Sequence, residues 1–479
     1  MRTKKMTEGS DIKKFLKDLS DSNTEFVDFR YTDMTGMWRT ITYHQSILSE
    51  SVFNDGIMFD GSSIPGWRGI ENSDMVLRPD LSKVYNDVYA DQPTKVVICD
   101  VIDPVTNQGY SRDPRTVAKR AEQYLLSTGI GDKAFYGPEP EFFVFDEVQF
   151  NVSPFEIFAQ MLSRETTAAH EGALFSSHFD PTTSGQKIDK GKGYCQTSPL
   201  DQGTNIRGHM LSAMKEAGLV VIKHHHEVGT SQHELSFEYD KLTRTADNLQ
   251  MYKNVVRATA YAQGQTATFM PKSVFDENGS GMHVHMSVWK GDTPLFLGNQ
   301  YCDMSELGLY FIGGILKHAR ALNAFTNSTT NSYKRLVPGY EAPVYLAYAA
   351  NNRSAAIRIP HVENKKAKRI EARFPDPLSN PYFAFSAMLM AGLDGIQNKI
   401  LPGDPMERNL YEDESAQKKS MCGSLREALE ELNRDRDFLL KGNVFESDLI
   451  DAYIELKLKE VAELERRPHP VEFSLYYAR

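Results

Sequence analysis

The chain has 479 residues, 41% hydrophobic and 25% charged, values of a globular protein with apolar surface for roughly two to four domains. Its formal net charge is −10 with no long basic tract, which argues against nucleic acid or an acidic membrane surface as the main partner. No stretch approaches ~20 uninterrupted apolar residues, the start MRTKKMTEGSD lacks the apolar centre of a secretory signal, and Cys99, Cys195, Cys302 and Cys422 show no CxxC spacing, so a cytoplasmic protein without disulfide framework or zinc ribbon is expected.

Residues 10–20 predict a short helix capped by Ser10 or Asp11, with Ile12, Phe15, Leu16 and Leu19 as its apolar stripe. Strands are expected at 25–30, 39–43 and 95–100, within a small strand-rich unit spanning 1–110; a larger unit takes 111–479. The stretch 58–67 reads as a loop from its glycines, serines and proline. Its Asp60 and Trp67 make it a candidate contributor to a site.

A helix is expected over 114–128. Residues 134–145 alternate so that Glu139 and Glu141 share one face, and Pro138 and Pro140 predict an edge or irregular strand rather than a central one. Residues 147–203, rich in Ser, Thr, Gly and Asp, read mostly as a long excursion. Helices follow at 204–217, 243–263 and 304–326. Between the first two, one strand face carries Lys223, His225 and Glu227, and the next carries Glu234, Ser236 and Glu238. Later, Arg369, Glu371 and Arg373 alternate with Ile370, Ala372 and Phe374, and 380–460 is mainly helical.

The organising stretch is 278–288, NGSGMHVHMSV. A flexible turn feeds a strict alternation in which His283, His285 and Ser287 face one way and Met282, Val284, Met286 and Val288 the other. At least five strands thus pair an apolar face with a face of Glu, His or Arg. Burying several carboxylates together is costly unless cations neutralise them. Glu139, Glu141, Glu227, Glu234 and Glu371 with His283 form an oxygen-rich set suited to Mg²⁺ or Mn²⁺, and six ligands divide naturally between two ions. Arg335, Arg353, Arg358, Arg369, Arg373 and Lys366 supply the opposite sign, matched to phosphate and carboxylate oxygens. Metals and arginines around one cavity point to phosphoryl transfer from a nucleotide to an acidic substrate. No Walker A loop and no dinucleotide fingerprint in a strand–helix context is present, so metals and arginines must hold the phosphates.

From about residue 25 onward the sequence resembles class I glutamine synthetases, the bacterial and archaeal type. The motifs are DGSSIPGW (60–67), GPEPEFFVFD (137–146), HHHEV (224–228), ATFMPK (267–272), NGSGMHVHMS (278–287), NSYKRLVPGYEAP (331–343), NRSAAIRIP (352–360), RIEARFPDP (369–377) and PHPVEF (468–473). The resemblance implies an α+β fold: a small β-grasp-like N-terminal domain, then a catalytic domain whose curved antiparallel half-barrel sheet is backed by helices. It implies two or more Mg²⁺ or Mn²⁺ ions per site, one held by Glu141, Glu227 and Glu234 and the other by Glu139, His283 and Glu371. Glutamate would meet Asn278, Gly279, Arg335, Glu341 and Arg373; ATP would meet His225, His285, Ser287, Arg353, Arg358 and Lys366. Asp60 from a neighbouring subunit would receive ammonium, and Glu341 would close the site. A dodecamer of two hexameric rings is implied, with an adenylyltransferase or other nitrogen regulators as further partners.

Tyr411 sits in the Asn-Leu-Tyr context of the adenylylatable tyrosine, but Glu-Asp-Glu follows it in place of Asp-Leu-Pro. The long 147–203 insert fits the regulated branch, whereas the short turn between Glu227 and Glu234 fits the unregulated one. Two rivals stay open: a γ-glutamyl ligase using a polyamine or other amine, and a catalytically inactive scaffold or regulator. Asp60 favours ammonium, and the presence of all six ligands with Arg353 and Glu341 argues against decay.

Overall fold

The computed structural model describes residues 2–165, 186–338, 342–350, 352, 354–407 and 419–479. Glu341, Arg353 and Tyr411 lie outside the described residues.

Six strands form the N-terminal sheet: β1 (Phe26–Thr32), β2 (Trp38–His44), β3 (Ile57–Asp60), β4 (Asp74–Asp87), β5 (Thr94–Asp103) and β6 (Gln108–Gly109). Their order is β2-β1-β5-β4-β3 with β6 on β5, and β1 runs parallel to β5. Helix Arg2–Ser20 buries Ile12, Phe15 and Leu19 against this β-grasp sheet; it runs straight through the expected cap at Ser10 and Asp11. The first residues of the expected loop 58–67 belong to edge strand β3, too short for its alternation to stand out.

The larger sheet uses β7 (Lys133–Phe145), β10 (Val221–His226), β11 (Gln232–Phe237), β12 (Asp240–Lys241), β13 (Thr266–Thr268), β14 (Met282–Lys290), β15 (Thr293–Pro294), β16 (Tyr345–Ala349), β17 (Ala355–Arg358) and β18 (Ile370–Ala372). It is ordered β10-β11-β7-β14-β18-β17-β16, a curled half-barrel of mostly antiparallel strands. Between them β8 (Glu147–Ser153) and β9 (Glu156–Leu162) pair as a separate hairpin, so the 147–203 stretch is not all excursion.

Strand β7 is central, not an edge. Along 133–140 it pairs with β14; on its other side β12 takes 135–136 and β11 takes 141–143. Pro138 and Pro140 fall in the gap between those last two partners, where no ladder N–H is required, and the Pro140 carbonyl there accepts from Tyr252 Oη at 3.1 Å instead.

The apolar face of the sheet, with Met282, Val284, Met286 and Val288 buried, packs on helices Leu242–Ala262, Glu306–Thr326 and Pro381–Gln397. Tyr136 stacks on Phe385 at 5.0 Å. Helices Glu306–Thr326 and Pro381–Gln397 nearly touch: a Cβ on Gly314 would stand 2.0 Å from the Ala391 carbonyl oxygen. Buried Arg115 ties the N-terminal sheet to helix Leu242–Ala262, reaching Asp80 and Asp100 of the sheet at 2.7 and 2.5 Å and Asp247 of the helix at 3.0 Å.

Candidate metal and nucleotide site

Register sets the site. His283 on β14 stands opposite Glu139 on β7, and Glu234 on β11 stands opposite both Glu141 on β7 and His225 on β10. His285 is opposite Glu371 on β18, which in turn faces Arg358 on β17. Because side chains alternate along each strand, these residues rise on the polar face in adjacent rows.

Two groups of donor atoms, each within 4.8 Å of one another, result: Glu139, His283 and Glu371, and His225, Glu227 and Glu234. His283 Nδ1 lies 3.8 Å from Glu139 Oε2 and 3.7 Å from Glu371 Oε1, and its Nε2 is 4.0 Å from Glu141 Oε1. Burial, then the nearby Arg373, lowers the His283 pKa and keeps the imidazole neutral, as a ligand must be. Glu371 is fully buried but held charged; Arg358 and Arg373 reach its two oxygens at 2.5 and 2.6 Å.

The second group and the adjacent Glu141 are crowded by like charge. Burial and then Glu227 push Glu141 up to about 8, and burial with Glu139, Glu227 and Glu141 raises Glu234 well above the carboxylate range. Such a set becomes neutral only by taking up protons or cations, and its oxygen donors with one imidazole per group fit hard divalent ions.

Asn278, Gly279, Arg335 and Arg373 line a small pocket of about 30 Å³ together with Glu141, Glu227 and His283. Arg335 is 3% exposed and is clamped by the carbonyls of Arg373, Phe374 and Pro375 at 3.1, 2.9 and 3.2 Å. On the other side of the Glu139–His283 row lies a cavity of about 560 Å³, lined among others by Glu139, His285, Ser287 and Lys366. Arg369 Nε donates to His285 Nδ1 at 3.2 Å, so the other ring nitrogen carries a hydrogen toward Glu139 Oε1, 3.2 Å away.

Some expected nucleotide contacts sit elsewhere. His225 Nε2 is 2.8 Å from Glu227 Oε1, within the carboxylate group, and Arg358 is engaged by Glu371; neither lines the large cavity. Phe135, Tyr239 and Trp289 do line it, and the sequence reading missed them. The signal was there: Trp289 continues the series 283, 285, 287, and Phe135 precedes 137 and 139 on the same face.

Also unanticipated is a buried group at the end of β10, Glu165, Asp201 and His226. Its charges are internally matched: Glu165 meets His226 at 3.0 Å and Asp201 is paired with Arg207. Asp60, by contrast, is exposed at the end of β3. Ser62 and Ser63 hydroxyls donate to it at 2.6 and 2.7 Å and hold its pKa down, and among the described residues it lines neither cavity.

Comparison with known proteins bears on the fold and family of the chain. Residues 23–104 match the family described as glutamine synthetase, beta-Grasp domain, and 111–476 the one described as glutamine synthetase, catalytic domain. A glutamine synthetase of Azospirillum brasilense is 52% identical over 98% of this chain and 100% of its own. One from Pseudomonas aeruginosa is 52% identical over 96% of this chain and 98% of its own. A 3-hydroxylaminophenol mutase of Cupriavidus pinatubonensis is 50% identical over 98% of this chain and 99% of its own. Among solved structures, the Plasmodium falciparum glutamine synthetase superposes with a TM-score of 0.89 at 30% identity, covering 98% of each chain.

Proposed function

The chain belongs to the glutamine synthetase family, and from that premise we infer that it joins ammonia to the γ-carboxylate of L-glutamate, giving L-glutamine while converting ATP to ADP and phosphate. As a family member it uses ATP and depends on a divalent metal. The observation that carries the reading is the cross-strand pair Glu139–His283: His283 borders the small pocket with Glu141, Glu227, Arg335 and Arg373, and Glu139 borders the large cavity.

In this reading Glu139, His283 and Glu371 would hold one Mg²⁺ or Mn²⁺ ion, and Glu227 and Glu234, which cluster with His225, would hold a second together with Glu141, the cross-strand partner of Glu234. Bound there, such cations would supply positive charge to neutralise phosphate oxygens and the charge that develops during phosphoryl transfer. Asn278, Gly279, Arg335 and Arg373 hold glutamate so that its γ-carboxylate points across the Glu139–His283 row. His285, Ser287 and Lys366 hold the nucleotide in the large cavity, with Phe135, Tyr239 and Trp289 offering their rings to the base. Arg358 acts through Glu371. The γ-carboxylate oxygen attacks the γ-phosphorus and ADP leaves, with Arg353 assigned by motif to neutralise the transferred group.

Asp60 receives ammonium and takes up its proton. Ammonia then attacks the acyl carbon of γ-glutamyl phosphate, expels phosphate and gives up its surplus proton, for which Glu341 is assigned by motif as acceptor. Because Asp60 is exposed and away from its own chain's cavities, it serves the site of a neighbouring copy, as a dodecamer of two hexameric rings would arrange. Glu341 covers the intermediate and keeps water from hydrolysing it. Among the described residues no helix is long and apolar enough to cross a membrane, and we place the enzyme in the cytoplasm. Tyr411 is its candidate adenylylation site.

The test is glutamate-dependent phosphate release from ATP with Mg²⁺, comparing ammonium, putrescine and ethanolamine. Stimulation by ammonium with glutamine as product is expected. Preference for an organic amine would reassign the acceptor, and no turnover with any acceptor would defeat the reading.

A further inference from the structure

Gln232 is the first residue of β11 and is 1% exposed, yet it touches Glu141, the Gly279 loop and the turn carrying Glu227. Its Nε2 donates to Glu141 Oε2 at 3.0 Å and to the Gly279 carbonyl at 3.1 Å. Its Oε1 accepts from the Gly229 N–H at 3.0 Å. Its backbone carbonyl accepts from the Glu227 N–H at 2.8 Å, and its own N–H donates to the Gly229 carbonyl at 3.1 Å. The amide orientation is fixed by these partners, since a flipped amide would set its oxygen against two acceptors and its NH₂ against a donor.

The bonds sort the two oxygens of Glu141. Oε2 takes donors from Gln232 and from the Gly281 N–H at 2.9 Å, leaving Oε1 turned toward His283 Nε2, 4.0 Å away in the small pocket. The same NH₂ group holds the carbonyl of Gly279, which lines that pocket and whose own position is tight: a Cβ there would stand 2.5 Å from the Pro271 carbonyl oxygen. One planar amide therefore joins a candidate cation ligand to the candidate amino-acid loop, and its backbone joins both to the turn carrying Glu227.

We propose that Gln232 is a positioning residue that couples cation binding at Glu141 and Glu227 to amino-acid binding at the Asn278–Gly279 loop. The proposal rests on the reading of the site given above. A cation that fixes Glu141 fixes the amide, and through it the Gly279 carbonyl; an amino acid that orders the loop returns the effect. Such coupling is reciprocal, each ligand tightening the other by the same factor.

The test uses the full-length protein stripped of metal, and compares wild type with Gln232→Met, which keeps the volume but donates nothing, and Gln232→Asn, whose shorter amide cannot span both acceptors. Mn²⁺ binding is measured by electron paramagnetic resonance with and without L-glutamate, and L-glutamate binding by calorimetry with and without Mn²⁺. In the wild type each ligand is expected to tighten the other by about fivefold or more. In both variants Mn²⁺ still binds and the factor falls toward one. The same factor in the folded variants as in the wild type overturns the proposal. So does a wild type that binds Mn²⁺ and glutamate independently, which leaves the reading of the site intact; a wild type that binds no Mn²⁺ removes that reading and the proposal together.

Discussion

Glu234 and Glu141 are direct cross-strand partners where β11 meets β7, so two carboxylates stand side by side inside the fold. Like charges so placed repel, and burial sharpens the effect. Glu234→Gln keeps the shape and removes one charge. We expect the metal-free variant to melt at the same temperature as wild type or higher, while losing most of the stabilisation that Mn²⁺ gives. In the wild type that stabilisation should approach about 2.7 kcal/mol at a hundred times the dissociation constant. Thermal melts over a MnCl₂ series after dialysis against chelator read both quantities, and a wild-type metal shift in the variant would remove Glu234 from the ligand set.

Five of the six ligand candidates were legible because each sits on a strand whose two-residue period shows in the chain, as in Glu139 and Glu141, His283 and His285, and Glu371 between Arg369 and Arg373; Glu227 was legible because it continues the period of β10 one residue past its end. The centrality of β7 was not, because Pro138 and Pro140 argue locally for an edge, and only the gap between β12 and β11 makes them harmless. His225 beside Glu227 follows from the two-residue period, but that His225 stands across from Glu234, and so joins the carboxylates rather than the large cavity, depends on the pairing of β10 with β11, which periodicity does not give. Gln232 and the buried Glu165–His226 pair carry no motif of their own; their meaning lies in partners 91 and 61 residues away.

Asp60 offers an exposed carboxylate already organised by Ser62 and Ser63, and asparagine at that position can still accept from the Ser62 N–H, which reaches Oδ1 at 2.9 Å. Asp60→Asn should therefore leave melting temperature and metal binding unchanged. The loss should appear in the ammonium dependence: kcat/KM for ammonium falling roughly ten- to a hundredfold, as for one hydrogen bond to a charged group, with KM for ATP and glutamate nearly constant. Steady-state kinetics with each substrate varied in turn decide it, and equal losses for all three would mean a structural role.

Trp289 lines the large cavity, its indole N–H 3.1 Å from Ser287 Oγ, with Phe135 edge-on at 5.9 Å. The chain has three tryptophans, and Trp38 and Trp67 belong to the N-terminal part, so ADP binding should change the emission of one residue in three. Trp289→Ala should abolish that change and raise KM for ATP about fivefold or more, the range of base–aromatic stacking. KM for glutamate should hold. An undiminished ADP response in the variant would place the base elsewhere.

Lys253, on helix Leu242–Ala262, is buried with its ammonium 3.3 Å from the Ser379 carbonyl oxygen. Burial first, then Arg257, lowers its pKa to about 7, against the pull of Asp376. An unfolded lysine titrates near 10.4, so between about 7 and 10 the unfolded chain holds a proton the folded chain lacks. Stability then rises with pH through that window, by at most about 1.4 kcal/mol per unit, and the burial penalty is fully present below it. Lys253→Met removes the penalty. The variant should melt above wild type at pH 6.5, and the gap should close as pH approaches 9.5. A pH-independent difference between the two melting curves would show that the amine stays charged in the fold, held by Asp376 and the Ser379 carbonyl.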